Sequence, residues 1–178
     1  MNKKVANKVY IISGPAGVGK STTSKELTKK FRNSAYISGD DISHMHINGR
    51  KNPWESSEEV LIWDNILSLT MNFINYGNDV IVDYVTFPKE AERLSKNLKS
   101  LDVEVIYVVL WTDKKTLLTR DNMRMPSARM GERCAILVDE FIESGLNEKH
   151  IFDTSNTSSD DMQYVISEII NNSKYKLN

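Results

Sequence analysis

The chain has 178 residues, of which 40% are hydrophobic and 26% are charged, values that are normal for one globular domain with a substantial core. Its net charge of −1 excludes an overall basic field for binding nucleic acid or a membrane, and no apolar run approaches the roughly 18 residues that span a bilayer. The first residues lack a signal-peptide core and Cys134 is the single cysteine, so we expect a cytoplasmic protein without disulfides.

Apolar strand patterns alternate with helical patterns along the chain, which predicts an α/β fold with a mostly parallel sheet of five strands. The strands are predicted at residues 9–13, 35–38, 79–84, 103–111 and 151–154. The helices are predicted at residues 20–31, 56–76, 88–101, 114–123, in a segment that ends near 144, and at 160–171. Residues 42–54 are expected to be a loop or an irregular helix, and 171–178 to be frayed. The sequence contains no repeat or linker, so residues 1–178 are predicted to form one domain.

Two of the predicted elements carry sharper signals. Ser56 and Glu59 are spaced as a capping box at the start of a helix, in which apolar residues including Val60 and Phe73 recur near helical spacing. The segment VEVIYVVLW at 103–111 is the most apolar strand, which predicts an interior position buried on both faces.

A glycine-rich sequence joins the first predicted strand to the first predicted helix. Residues 14–21 (GPAGVGKS) match G-x-x-x-x-G-K-[ST] in the strand–helix context that this phosphate-binding motif requires. Such a loop curls around a phosphate chain at the positive end of a helix, and the loop residues here are Gly14, Pro15, Ala16, Gly17, Val18 and Gly19. Lys20 would reach the β- and γ-phosphates and Ser21 would ligate Mg²⁺. The sequence therefore predicts a nucleoside triphosphate site.

Asp40 and Asp41 follow the second predicted strand. In open parallel sheets the ligand lies beyond the carboxyl ends of the strands, where the phosphate loop also lies. A hydroxyl group that accepts a phosphoryl group needs a carboxylate to orient it and take its proton. We predict that at least one of these residues, preferably Asp40, contacts substrate. The alternative is that one of them only caps the next helix.

Asp83 ends the apolar strand VIVD. An acid at this point resembles the Walker-B position, which holds the metal directly or through water. Asp83 is therefore a candidate metal ligand and substrate contact. The alternative is a structural role, with Tyr84 or a backbone group as its partner.

Six basic and two acidic residues between Lys114 and Arg133 give this segment a local net charge of +4. The arginines of this segment are Arg120, Arg124, Arg129 and Arg133. They continue through the loop-like sequence MPSARMG, and arginines on a closing lid can neutralise a transferring phosphoryl group and exclude water. We predict a lid at about residues 120–134; the alternative is a solvated surface.

Histidines and basic residues are also present in the predicted acceptor-binding segment, residues 40–76. His44 is a candidate substrate contact and Arg50 suits an anionic acceptor. His44 and His46 have no third ligand at metal spacing, so a zinc site is not expected. Residues 52–88 contain no basic and six acidic residues, which makes nucleic acid an unexpected partner on this side.

Together these motifs resemble those of small P-loop kinases related to adenylate, shikimate and gluconate kinases and to chloramphenicol phosphotransferase. The shared sequences, GPAGVGKST, SGDD, VIVD, L-x-x-R-x-x-x-R and DTSN, cover nearly the whole chain. More narrowly, the chain is similar to small bacterial gluconate-kinase-like proteins, with which it shares NSAYI-x-GD, PWES, LWT and MGERC. Arg-Lys-Asn-Pro-Trp at 50–54 follows the Gly-Asp turn sooner than in gluconate kinases, so the acceptor pocket is expected to differ.

The resemblance implies a three-layer α/β/α sandwich with five parallel strands in the order 2-3-1-4-5. It also implies that Asp40 is the catalytic carboxylate on the acceptor side. Thr22 would contact the α-phosphate, and Arg120 would lie against the adenine or the phosphates. Arg124 and Arg129 would be lid arginines that assist Lys20 in catalysis.

We therefore expect an ATP-dependent, Mg²⁺-dependent phosphotransferase that acts on a hydroxyl group of a small molecule such as a sugar acid, a nucleoside or an antibiotic. The resemblance further implies that residues 155–157 help to enclose the base. One alternative is a kinase of nucleotides or polynucleotide ends; another is a nucleotide-binding regulatory switch. A GTPase would carry an N-K-x-D sequence, and the nearest string, TDKK at 112–115, has the wrong order. The protein is expected to be a monomer or a homodimer.

Overall fold

A five-stranded parallel sheet forms the centre of the computed structural model, which describes residues 6–123, 125–126 and 129–177. The strands are β1 (Asn7–Ser13), β2 (Ser34–Ser38), β3 (Asp79–Asp83), β4 (Val103–Trp111) and β5 (Ile151–Asp153). They pair in parallel in the order β2-β3-β1-β4-β5. The predicted fold class and strand order are confirmed, and β4 is an interior strand as expected.

Seven α-helices are described: α1 (Lys20–Thr28), α2 (Gly39–Met45), α3 (Ser56–Asn75), α4 (Pro88–Asn97), α5 (Lys114–Asn122), α6 (Glu132–Glu143) and α7 (Met162–Asn171). The segment predicted as a loop or irregular helix begins with the regular helix α2. The predicted capping box at the start of α3 is wrong, because Glu55 occupies the N-cap position without a side-chain capping bond and Ser56 is the first helical residue. None of the described helices is both long and apolar enough to cross a membrane.

The two faces of the sheet bury alternate residues of the same strands. On one face, residues such as Ile11 and Val82 pack with α3, α4 and α6; on the other, residues such as Ile12 and Ile81 pack with α1 and α7. Both faces are covered, which is why the strands read as continuous apolar runs. The result is the expected three-layer sandwich.

The apolar pattern alone did not identify which side chains of α3 face the core. Val60 and Phe73 are 47% and 38% exposed, whereas the side chains that α3 buries are Glu58, Ile62, Trp63, Ile66, Thr70 and Ile74. The single cysteine, Cys134, is fully buried.

The segment that was expected to be frayed packs against the sheet instead. Tyr175 is fully buried, Lys176 forms an antiparallel bridge with Ile106, and the Leu177 N–H donates to the Val105 carbonyl at 3.0 Å. The prediction failed because one aromatic side chain, flanked by polar residues, supplies the contact that holds this segment.

A buried hydrogen-bond network joins the carboxyl end of β1 and the middle of β4 to the segment that follows β3. The Ser13 hydroxyl donates to the Thr86 carbonyl at 2.8 Å and accepts from the Thr86 N–H at 2.8 Å. The Tyr107 hydroxyl donates to the same carbonyl at 2.7 Å. All three residues have no exposed surface. The network therefore joins β1, β4 and the segment after β3 directly below the glycine-rich loop.

Gly39, at the start of α2, gives the first testable prediction. An added Cβ would lie 2.3 Å from Cγ and Cδ2 of the Tyr84 ring. We expect Gly39→Ala to lower the free energy of unfolding by about 1–3 kcal/mol through overpacking, although alanine normally stabilises a helix by up to about 1 kcal/mol relative to glycine. Urea unfolding measures the change.

The same substitution in a Tyr84→Ala background serves as the control. Removing the ring relieves the two shortest contacts but leaves the Tyr84 Cβ at 2.8 Å from the added Cβ, so Gly39→Ala should there cost clearly less stability than in the unmodified protein. An equal loss of stability in both backgrounds would show that the ring contact is not the cause.

Candidate active site

The glycine-rich loop leaves β1 and enters α1 in the conformation that a phosphate cradle needs. Gly14 has φ 133° and Gly19 has φ 103°, values that residues with a side chain rarely adopt. A Cβ on Gly14 would also lie 2.3 Å from the Leu110 carbonyl oxygen. Gly14 is therefore required both by its backbone conformation and by the close approach of β4.

Lys20 lies against this loop. Its ammonium group donates to the carbonyl oxygens of Gly14 at 2.9 Å and Pro15 at 3.0 Å. These bonds hold a positive charge at the phosphate loop. Ser21 and Thr22 follow in the first turn of α1 and are exposed, so their hydroxyl groups are accessible to a ligand at the helix N-terminus.

Asp40 and Asp41 occupy the first turn of α2. The cap of this helix is Ser38, whose side chain accepts from the Asp41 N–H at 3.1 Å, so neither aspartate is the cap. Asp40 keeps an exposed side, and the part of the residue that is withdrawn from water raises the pKa of its carboxyl above its ordinary value. The Lys20 ammonium group opposes this rise, whereas the Asp83 carboxylate adds to it. Asp40 is thus electrostatically coupled to both the phosphate loop and the end of β3.

Asp83 has a partner that the sequence did not indicate. It is 5% exposed and accepts a hydrogen bond from the Tyr36 hydroxyl at 2.6 Å. Burial and the hydrogen bond to Asp83 raise the pKa of Tyr36, while hydrogen bonds with Ser38 and Ser21 act in the opposite direction. The Asp83 carboxylate and the Ser21 hydroxyl therefore both interact with the Tyr36 phenol group.

This donor set fits Mg²⁺. The ion is bound by oxygen ligands, commonly one or two carboxylates together with substrate phosphates and water. Ser21 and Asp83 supply a hydroxyl and a carboxylate within reach of the same phenol oxygen, beside the phosphate loop. Among the described residues no group of three or more His, Cys, Asp or Glu side chains could hold a metal ion without such additional ligands.

A cavity of about 110 Å³ opens on the acceptor side of Asp40. Most of its walls are aromatic or apolar, and three of its residues are charged. The lining residues are Asp40, Pro53, Trp54, Glu59, Tyr84, Val85, Phe87, Met130, Arg133 and Leu137. The cavity thus joins the acceptor segment, the end of β3 and the start of α6.

Four predicted acceptor contacts, Asp41, His44, Arg50 and Asp83, are not among the residues that line the cavity. Arg50 donates from Nη2 to the Ser43 hydroxyl at 2.9 Å, and His44 contacts the Asp40 backbone carbonyl through Nδ1 at 2.6 Å. Asp41 is exposed next to Asp40. The structure therefore brings Asp40 close to Asp83 and Lys20, but the side chains of Asp41, His44 and Arg50 do not line the cavity.

The first part of the predicted acceptor-binding segment is held in place by a buried carboxylate. Glu58 is 3% exposed and contacts His46 Nδ1 at 2.9 and 3.0 Å. It also accepts from the Lys51 N–H at 3.3 Å. Burial favours protonation of Glu58, but these hydrogen bonds outweigh it and lower its pKa. Trp54 follows this anchored segment by a few residues.

Arg120 lies where the predicted base-binding turn begins. Its Nη2 group donates to the Thr154 carbonyl at 3.2 Å. The same carbonyl accepts from the Thr157 hydroxyl at 3.0 Å, and the Thr112 hydroxyl contacts Ser155 at 3.2 Å. The structure thus brings Arg120 and the turn at 155–157 together.

The predicted lid is fixed by a residue that sequence reasoning missed. Asp121 is 1% exposed, and its carboxylate accepts from the N–H groups of Met130 at 3.0 Å and Gly131 at 2.9 Å. Its spacing of four residues from buried Leu117 was the available signal, because the two share the inward face of α5. Arg129 is exposed, and Arg124 lies outside the described residues.

Asp121 gives the second testable prediction. Asp121→Asn removes the charge of the acceptor and turns an amide group toward the two N–H donors, which should destabilise the start of α6 by about 1–3 kcal/mol. Hydrogen exchange of the Met130 and Gly131 amides should accelerate. Asp139→Asn, which alters an exposed pair with Lys114, is the matched control. Unchanged exchange in Asp121→Asn would refute the anchoring role.

Solved structures share this fold along nearly the whole chain. The tunicamycin resistance protein of Deinococcus radiodurans has a TM-score of 0.63 at 17% identity, with 93% of this chain and 96% of that chain covered. A gluconokinase from Sinorhizobium meliloti 1021 has a TM-score of 0.62 at 13% identity, with 94% and 91% covered. The APS kinase of Mycobacterium tuberculosis, in complex with AMPPNP and APS, has a TM-score of 0.63 at 14% identity, with 91% and 96% covered.

At these identities the likeness shows a shared fold, that of the small P-loop kinases. No curated protein sequence matches the chain. A protein-family description, "AAA domain", matches residues 9–134, from the first strand to the start of α6. The chain belongs to this AAA domain family.

Proposed function

We propose that the protein is an ATP-dependent phosphotransferase that moves the γ-phosphoryl group of ATP to a hydroxyl group of a small molecule. The observation that carries the proposal is the position of Asp40. Its carboxylate lines the cavity and also lies close enough to Lys20 for that ammonium group to act on its pKa. Asp40 therefore stands between the phosphate loop and the space available to an acceptor.

In the proposed step the acceptor oxygen forms a bond to the γ-phosphorus, and the bond from that phosphorus to the β–γ bridging oxygen breaks. The acceptor proton passes to the Asp40 carboxylate, and ADP leaves with the electron pair of the broken bond. A carboxylate with a raised pKa is a better proton acceptor than an ordinary one. Positioning and charge stabilisation would supply most of the rate.

Other residues would stabilise charge on the phosphates. Lys20 and the lid residues Arg124 and Arg129 would lie against the transferring group, with Arg120 on the nucleotide side. When bound, Mg²⁺ would neutralise charge on the β- and γ-phosphates, and Ser21 and Asp83 would hold it. The acceptor would be a sugar acid such as gluconate, a nucleoside or an antibiotic, and the protein would act in the cytoplasm as a monomer or homodimer.

ATP consumption with Mg²⁺ tests the proposal. The acceptors are sugar acids, nucleosides, aminoglycosides, chloramphenicol and 5′-hydroxyl oligonucleotides, with a control that contains no acceptor. Stimulation by one small-molecule class supports the proposal, and stimulation by the oligonucleotides favours a polynucleotide-end kinase. Slow ATP loss that no acceptor changes favours a nucleotide-binding switch.

Asp40→Asn gives the third prediction. The amide cannot accept the hydroxyl proton, so phosphoryl transfer should fall by about 10²–10⁴-fold, while ATP binding measured by calorimetry is retained. Normal turnover in this variant would move the role to Asp41 or Asp83.

Lys20→Ala gives the fourth prediction. Loss of the ammonium group at the phosphate loop should abolish productive ATP binding, and circular dichroism should show an unchanged fold. Lys29→Ala, which removes an exposed lysine paired with Glu26, should behave as the unmodified protein. Full activity of Lys20→Ala would contradict the phosphate-loop assignment.

A further inference from the structure

The cavity beside Asp40 carries information about the acceptor because its walls differ in chemistry. Trp54, Tyr84 and Phe87 supply aromatic surface, while Val85, Leu137 and Met130 supply apolar surface. Trp54 is 57% exposed, so a bound molecule can cover its ring. A dry cavity of about 150 Å³ can hold benzene, and this cavity of about 110 Å³, open to the cleft, is of similar size.

Among the described lining residues, the cationic side chain is that of Arg133, and it already has partners. Arg133 donates from Nη1 and Nη2 to the two carboxylate oxygens of Glu140, at 2.8 and 3.0 Å. Its guanidinium carbon also lies 5.3 Å from the centre of the Trp54 ring. Recruiting Arg133 for an anionic ligand would break a bidentate ion pair and a cation–π contact. In this structure the Arg133 guanidinium group instead packs against the Trp54 ring.

The remaining charge in the cavity is negative. Among the lining residues that the structure describes, the other charged groups are Asp40 and Glu59. Both carboxylates act on the Tyr84 hydroxyl in the same direction: burial, Asp40 and Glu59 all raise its pKa, and Arg50 opposes them. The Arg50 guanidinium group itself is turned to Ser43. A carboxylate on the acceptor would lose its hydrating water on binding here and would lie near the negative charges of Asp40 and Glu59. Its binding is therefore disfavoured.

We propose that the acceptor is an uncharged or cationic alcohol that carries a planar apolar group, and that sugar acids are poor acceptors. This inference rests on the proposed phosphotransfer and narrows its substrate class. The planar group would stack on the ring of Trp54, which Arg133 contacts and which remains 57% exposed. The hydroxyl group would point to Asp40, and a cationic substituent would be paired by Glu59.

Ligand-observed NMR with the full protein and Mg·AMPPNP tests the acceptor class without requiring turnover. The probes are four sets of small alcohols: neutral with an aromatic ring, cationic with an aromatic ring, anionic with an aromatic ring, and neutral without an aromatic ring. Phenyl β-glucoside, its 2-amino-2-deoxy analogue, phenyl β-glucuronide and methyl β-glucoside form one such group. We expect binding to be enriched in the first two sets.

Two variants assign the bound probes to the cavity. Trp54→Ala should weaken the ring-bearing probes by about two- to tenfold, because it removes the aromatic surface on which they stack, and Trp54→Phe should restore part of the affinity. Glu59→Gln should reduce the preference for cationic over anionic probes several-fold. Tyr76→Ala, which removes an aromatic side chain 87% exposed at the far end of α3, and Glu143→Gln are the matched controls.

Preferential binding of anionic or ring-free probes would overturn the inference, as would ring-bearing probes whose binding ignores Trp54→Ala. ATP consumption with the bound probes then separates the two proposals. If neutral or cationic ring-bearing alcohols bind through Trp54 but neither they nor any acceptor stimulates ATP loss, the proposed phosphotransfer fails and the cavity chemistry stands. If gluconate stimulates ATP loss most strongly, phosphotransfer stands and the acceptor class is wrong.

Discussion

The hydrogen bonds that Ser13 and Tyr107 make with Thr86 are the constraint on which the site depends. They lock the carboxyl end of β1 and the middle of β4 to the chain leaving β3, without any contact with water. Because a buried polar group left without a partner costs about 1–3 kcal/mol, these three positions favour a single relative arrangement of the strands. This arrangement sets the distance between the phosphate loop, which follows β1, and Asp83, which ends β3. Asp40 then follows β2, whose Ser38 is in register with Asp83.

Local sequence was sufficient for the features that depend on neighbouring residues. The glycine spacing predicted the phosphate loop, and the alternation of strands and helices predicted the fold class. The partner of Asp83 could not be predicted, because Tyr36 lies 47 residues away and reaches it only through the pairing of β2 with β3. Arg50 shows a second limit: its position in the acceptor segment was foreseeable, but its direction is set by Ser43 on α2. Val60 and Phe73 show a third, since helical spacing does not reveal which face a sheet covers.

The cleft is divided electrostatically along a line through Asp40. On the nucleotide side, Lys20 and Arg120 are bonded to backbone carbonyls, so positive charge is held in place before a ligand arrives. On the acceptor side, the guanidinium group of Arg133 is neutralised by Glu140, and carboxylates remain. Fixed charges of this kind need little reorganisation when charge develops during a reaction.

The packing of residues 175–177 against β4 bears on how the chain folds during its synthesis. Val105 pairs with Val9 on one side and accepts a hydrogen bond from Leu177 on the other, so the strand joins parts of the chain that are translated far apart in time. Pairings this distant in sequence are slow to form because the intervening loop must close first. Residue 177 must therefore emerge from the ribosome before the face that carries Tyr10 and Ile106 is complete. Until then this apolar surface stays exposed, and chaperones can bind it.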